Sequence, residues 1–155
     1  MVEVGQKAPD VELVDTDKKT VRISDLKGRT TVLAFFPGAF TGTCTKEMCT
    51  FRDNLAKFNS LSANVVGISV DSPFADKGFK DANHLTFPVL SDYDRRAVKA
   101  YGVPLENFAS LKGYTAAQRS VFVLDKEGII RAKWVAESPG IEPDYDWISS
   151  EVEKL

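Results

Sequence analysis

Cys44 and Cys49, the two cysteines of this 155-residue chain, lie five positions apart, after an apolar run and a Pro37-Gly38 turn and at the start of a helical pattern. A thiolate is a strong nucleophile and the redox-active form of cysteine. The first turn of a helix favours thiolate over thiol through unpaired backbone N–H groups and the positive end of the helix dipole. Cys44 is placed there. Cys49 is close enough in sequence to form a disulfide with it, provided the helix gives way between them. Thr41, three residues before Cys44, has two possible roles. It can donate its hydroxyl proton to a bound oxygen, or it can cap the helix by accepting from a backbone N–H.

Other chemistries fit less well. A structural zinc site needs four Cys or His ligands, and the chain offers two cysteines and the distant His84, so no metal is expected. His84 follows the polar run Lys80-Asp81-Ala82-Asn83 and reads as a surface residue without an assigned role. Glu47, in the first helical turn, reads as a surface carboxylate compatible with the dipole. Twenty basic and 22 acidic residues without long like-charge runs leave no footprint for nucleic acid or an anionic membrane. The first seven residues lack a signal-peptide pattern, and no apolar run approaches the ~20 residues of a membrane span. A cytoplasmic protein is expected, and in that compartment a disulfide is transient.

The elements that position the cysteines follow from periodicity. Residues 11–14 and 20–23 flank a polar turn and predict an N-terminal hairpin. The apolar run 30–36 predicts a buried central strand. Cys44, Met48, Phe51, Leu55, Phe58 and Leu61 recur at helical spacing, which predicts one helix over 43–61 with Cys44 on its buried stripe. A strand over 64–70 follows, then a helix through residue 83 capped by Ser72 with Pro73 at its first position. A strand over 86–90, a helix over 93–101, a hairpin of strands 120–124 and 129–135, and a helix over 145–155 complete the order. Trp134 and Trp147 are expected at core edges. With no repeat or linker, the whole of residues 1–155 is expected to form a single α/β domain, its mixed sheet covered by helices on both faces. The reactive loop then falls at the carboxyl end of a central strand, where such sheets place their sites.

Pro37-x-x-x-Thr41-x-x-Cys44 resembles the active-site motif of the peroxiredoxins, thiol peroxidases of thioredoxin-like fold. The resemblance runs from about Gly5 to Val135. Val4 to Asp10 is similar to the family's opening segment, and Cys44 to Asp53 is similar to the bacterioferritin-comigratory or peroxiredoxin Q branch. Pro37-Gly38-Ala39-Phe40-Thr41 is closer to the AhpE-like and type-5 branches, and many Q members carry Thr-Pro-Gly-Cys where this chain has Thr41-Gly42-Thr43-Cys44.

The resemblance implies a thioredoxin-like three-layer sandwich and a cofactor-free reduction of hydrogen peroxide and organic hydroperoxides. Cys44 would be the attacking thiol. Arg119 matches the family's late active-site arginine and would hold the thiolate and polarise the peroxide. Pro37 would shield the sulfenate, Thr41 would orient the peroxide, and Cys49 would resolve the sulfenate as an intramolecular disulfide. A thioredoxin or glutaredoxin-like protein would be the reductant, acting on a monomer or homodimer. Two alternatives share the cysteines: a thiol-disulfide oxidoreductase, which usually carries Cys-x-x-Cys, and a non-catalytic redox sensor.

Overall fold

A seven-stranded mixed sheet organises the chain, and the structure, a computed structural model, describes residues 2–155. In chain order the strands are β1 (Glu12–Val14), β2 (Thr20–Arg22), β3 (Thr30–Phe35), β4 (Ala63–Ser69), β5 (Val89–Ser91), β6 (Pro104–Leu105), β7 (Ala116–Ala117), β8 (Ser120–Leu124) and β9 (Ile130–Val135). The helices are α1 (Gly42–Asp53), α2 (Leu55–Ser60), α3 (Pro73–Ala82), α4 (Arg96–Tyr101) and α5 (Tyr145–Glu153). The large sheet runs β2-β1-β5-β4-β3-β8-β9, while β6 and β7 pair separately. The central strands β3, β4 and β5 are parallel; β8 and β9 extend the sheet antiparallel on one side, and the β1–β2 hairpin does so on the other.

Because β3 is central, all six of its residues are buried, and alternation sends them to two cores. Leu33 and Phe35 face the layer of α4, where Phe35, Tyr101 and Phe122 stack with ring centroids 5.2–5.8 Å apart. Val32, Ala34 and Phe36 face the layer of α1, α2, α3 and α5, where they meet Cys44, Met48, Phe51, Phe79 and Ile148. The result is the expected three-layer sandwich with an N-terminal hairpin. Gly67 on β4 lets α1 approach closely, since a Cβ there would stand 3.2 Å from the Met48 sulfur.

Three predicted elements differ from those observed. The helix over 43–61 is two helices, because the Asn54 side chain donates to the Thr50 carbonyl at 2.8 Å and its backbone leaves the helical region, closing α1 before α2 begins. The strand over 86–90 shrinks to Val89–Ser91: Pro88 has no N–H for the ladder, and its carbonyl instead accepts from Gly67. The helix over 93–101 starts late, at Arg96. Arg95 takes a left-handed φ of 63°, and both Asp92 carboxylate oxygens accept from the N–H groups of Ala97 and Val98 at 2.9 Å. Ser72 caps α3 as expected, accepting from the Ala75 N–H.

Candidate active site

β3 runs straight into the loop Phe36–Thr41, which leads to α1. Thr41 holds the N-cap position, and Cys44 lies in the first turn at 1% exposure. Phe36 is still bonded to β4 through Ile68, and Pro37 and Gly38 are buried. Beyond them the loop is pinned by a residue that motif reading missed: Asp71, just after β4, accepts from the Ala39 N–H at 2.8 Å. Asp71 is itself placed by the Ser69 hydroxyl, which lies 3.3 Å from the Asp71 N–H and donates to buried Asp76 at 2.9 Å. Phe40 then takes a left-handed φ of 63°, with its ring edge-on to Phe79 at 5.5 Å.

Arg119, 75 residues after Cys44, reaches its sulfur across this layer. Its Nη2 stands 3.1 Å from the Cys44 Sγ, and its Nη1 stands 2.8 Å from Glu47 Oε1. The Pro139 carbonyl accepts from both Nε and Nη2, at 3.2 and 2.8 Å. Arg119 is 2% exposed, and every arm of its planar fork has a partner, so the guanidinium is fixed in position and orientation. Burial acts to lower its pKa, but Glu47 and Cys44 outweigh that effect, and the net shift is upward. The cation therefore stands where a thiolate on Cys44 would place its charge.

Glu47 is not the surface residue expected from its first-turn position. It is fully buried and paired with Arg119, and its Oε2 has no hydrogen-bond partner among the described residues. Desolvation pushes its pKa up to about 7 against the opposing pull of Arg119. The signal was present in the spacing: Glu47 is three residues from Cys44 and adjacent to Met48, so it sits on the apolar stripe, where a carboxylate requires a buried cation.

Of the two roles open to Thr41, the cap is not made. Its hydroxyl donates to the Gly38 carbonyl at 2.7 Å and makes no cap, while its own carbonyl accepts from the N–H and hydroxyl of Thr45. With its proton committed to Gly38, the hydroxyl oxygen is left as an acceptor.

Cys49 shares α1 with Cys44 but not its surroundings. Both thiols are free; that of Cys49 is half-buried and lies 3.7 Å from Asn83 Oδ1 at the end of α3. Because α1 is continuous through both, their Cα atoms are separated by roughly 8 to 9 Å by helix geometry, beyond the ~7 Å a disulfide tolerates. His84 is exposed, and Trp134 and Trp147 pack at the core edge.

A last segment closes the site. Beyond Pro139, Glu142 pairs with Lys46 at 3.2 Å and accepts from the Tyr145 hydroxyl at 2.7 Å, and the Tyr145 ring meets Phe51 edge-on at 5.3 Å. The segment after β9 thus holds both Arg119 and the outer face of α1.

The chain matches the AhpC/TSA family over residues 4–133. It is 40% identical over 135 residues to peroxiredoxin Bcp of Bacillus subtilis, covering 86% of this chain and 85% of that one. It is 41% identical over 130 residues to the chloroplastic peroxiredoxin Q of Populus jackii, covering 84% and 59%. Among solved structures, peroxidoxin BcpB from Mycobacterium tuberculosis superposes with a TM-score of 0.87 at 28% identity, covering 100% of this chain and 99% of that one. A reactive loop at the end of a central strand, a buried thiol under a fixed guanidinium, and these likenesses agree: the chain belongs to the AhpC/TSA family and is a peroxiredoxin, a thiol peroxidase.

Proposed function

We propose that Cys44 is the peroxidatic nucleophile and that Cys49 resolves it within the same chain. The observation that carries the first half is the 3.1 Å approach of Arg119 Nη2 to the Cys44 sulfur in a site almost closed to solvent. The Cys44 thiolate attacks the distal oxygen of a hydroperoxide; the S–O bond forms as the O–O bond breaks, and water or an alcohol leaves with one proton. Arg119 holds both the thiolate and the polarised peroxide, and because it is fixed beforehand no reorganisation is needed during attack. Thr41 accepts a hydrogen bond from the peroxide O–H, and Pro37 keeps solvent from the sulfenate.

The Cys49 sulfur then attacks the Cys44 sulfur. The S–S bond forms, the S–OH bond breaks, and the hydroxide leaves as water after taking a proton. A thioredoxin-type or glutaredoxin-like dithiol reduces the disulfide by exchange, and we place the chain in the cytoplasm, where that reductant is maintained. Action on protein disulfides has no support in the geometry, since a cysteine 1% exposed is closed to a second protein's disulfide.

Turnover of hydrogen peroxide and cumene hydroperoxide, coupled to NADPH through a thioredoxin system, tests the reading. Cys44→Ser abolishes turnover with the fold intact. Cys49→Ser still consumes about one equivalent of peroxide and then stalls, because attack precedes resolution. Retained turnover without Cys44 would overturn the mechanism, and loss of the first equivalent without Cys49 would reassign the attacking role.

A further inference from the structure

Arg119 explains how the attacking thiol is held; the surroundings of the second thiol show a different arrangement. Arg52 follows Cys49 by three residues, on the same side of α1, and its Nη1 donates to the Asn83 carbonyl. Asn83 is itself fixed: its Nδ2 donates to the Phe79 carbonyl at 3.0 Å, and its Oδ1 lies 3.7 Å from the Cys49 sulfur. The Arg52 Nε is held by Asp53 at 3.0 Å. One asparagine at the end of α3 therefore binds both the thiol and the cation beside it, tying the second half of α1 to α3. The first half is held instead by Arg119 and Glu142, which lie after β7 and β9.

We propose that Arg52, anchored on Asn83, is a positioning residue for the resolving step: it keeps Cys49 stationary against α3, so that the first turns of α1 unwind to bring Cys44 to it. The inference rests on the reading of Cys49 as the resolving thiol. Once Cys44 is a sulfenic acid, the Cys49 sulfur supplies the electron pair for the S–S bond and the S–OH bond breaks. Hydroxide departs as water, and the hydroperoxide already consumed is the oxidant.

The test is single-turnover oxidation of the reduced full-length protein with hydrogen peroxide. Attack is followed by tryptophan fluorescence, and disulfide formation by acid quench and mass spectrometry. Arg52→Gln, too short to hold the Asn83 carbonyl, leaves the attack phase unchanged and slows formation of the 44–49 disulfide about tenfold, and Arg52→Lys, which can still donate there, restores most of the rate. If the wild-type protein forms no 44–49 disulfide, the reading of Cys49 fails and this inference fails with it. If the wild-type protein forms the disulfide and Arg52→Gln forms it equally fast, or slows attack and resolution alike, the inference alone is overturned.

Discussion

Replacing Glu47 by Gln separates the charge of this residue from its shape, and the expected result is a change in how stability depends on pH. In the folded protein, burial raises the Glu47 pKa from 4.5 to about 7. A carboxyl group whose folded pKa lies above its unfolded value binds its proton more tightly when folded. It imposes no penalty below the unfolded pKa, and destabilises progressively as pH rises from about 4.5 to about 7. The difference is about 2.5 units, and at about 1.36 kcal/mol per unit the ionised carboxylate lowers stability by on the order of 3 kcal/mol above pH 7. For a chain of this length that corresponds to roughly 6–12 °C in Tm.

Glu47→Gln cannot titrate. Its amide can still accept from Arg119, but it places N–H donors where Oε2 has no partner, a cost of about 1–3 kcal/mol that does not vary with pH. Urea unfolding of the reduced proteins, followed by Trp134 and Trp147 fluorescence from pH 4 to pH 8.5, should show the variant gaining on wild type by about 3 kcal/mol across the range. Parallel pH profiles would refute the argument, because Glu47 would then have the same proton affinity folded and unfolded.

Arg119→Lys should slow peroxide attack by about two orders of magnitude, since a point charge cannot serve the sulfur, Glu47 and Pro139 together; competition for peroxide with a second peroxidase measures it. Asp71→Ala should release the Ala39 N–H and lower both the attack rate and stability, the latter by about 1–2 kcal/mol, read from the same kinetics and from urea unfolding. In the oxidised protein, amides over residues 43–49 should exchange faster than in the reduced one while α3 stays protected; equal exchange with the 44–49 disulfide present would mean that the first turns of α1 need not open.

The parts of this fold that are legible in sequence are those decided by local periodicity and by motif. The run 30–36 is apolar because β3 has neighbours on both edges and helices on both faces, and Cys44, Met48 and Phe51 repeat at helical spacing because they face β3 and β4. Pro37, Thr41 and Cys44 belong to one loop and one turn. What stayed hidden are bonds between distant segments. Nothing near Asp71 in sequence shows that its carboxylate holds Ala39, 32 residues earlier. The hydroxyl of Thr41 chooses Gly38 because the loop folds back on itself, which a residue type cannot indicate. Glu47 differs from its sequence reading for a related reason: first-turn carboxylates are favoured by the dipole on exposed faces, and that rule does not see the guanidinium of Arg119, just before β8, that meets it.

The buried pair also bears on how a peroxidase built on a continuous helix completes its cycle. Forming the disulfide means unwinding the first turns of α1, which breaks the contacts of Cys44 and Glu47 with Arg119 and the Lys46–Glu142 pair. That would be expensive if Glu47 were at ease in the interior, and it is not: its pKa of about 7 records a carboxylate that water would stabilise. Unwinding returns Glu47 to solvent, so above pH 7 the same order of 3 kcal/mol that burial subtracts from the folded state offsets part of the cost of opening. Arg119 meanwhile keeps the Pro139 carbonyl, so opening the helix does not leave its guanidinium without an acceptor. α2 starts anew beyond Asn54 with Phe58 buried in the core, so an opening of the first turns need not extend past α1. On this reading the Glu47–Arg119 pair fixes the guanidinium and at the same time lowers the cost of opening the helix that bears both thiols. In Glu47→Gln the relief is absent, so disulfide formation should lose the acceleration that wild type gains between about pH 4.5 and pH 7, and an identical acceleration in the two proteins would show that Glu47 stays buried throughout the cycle.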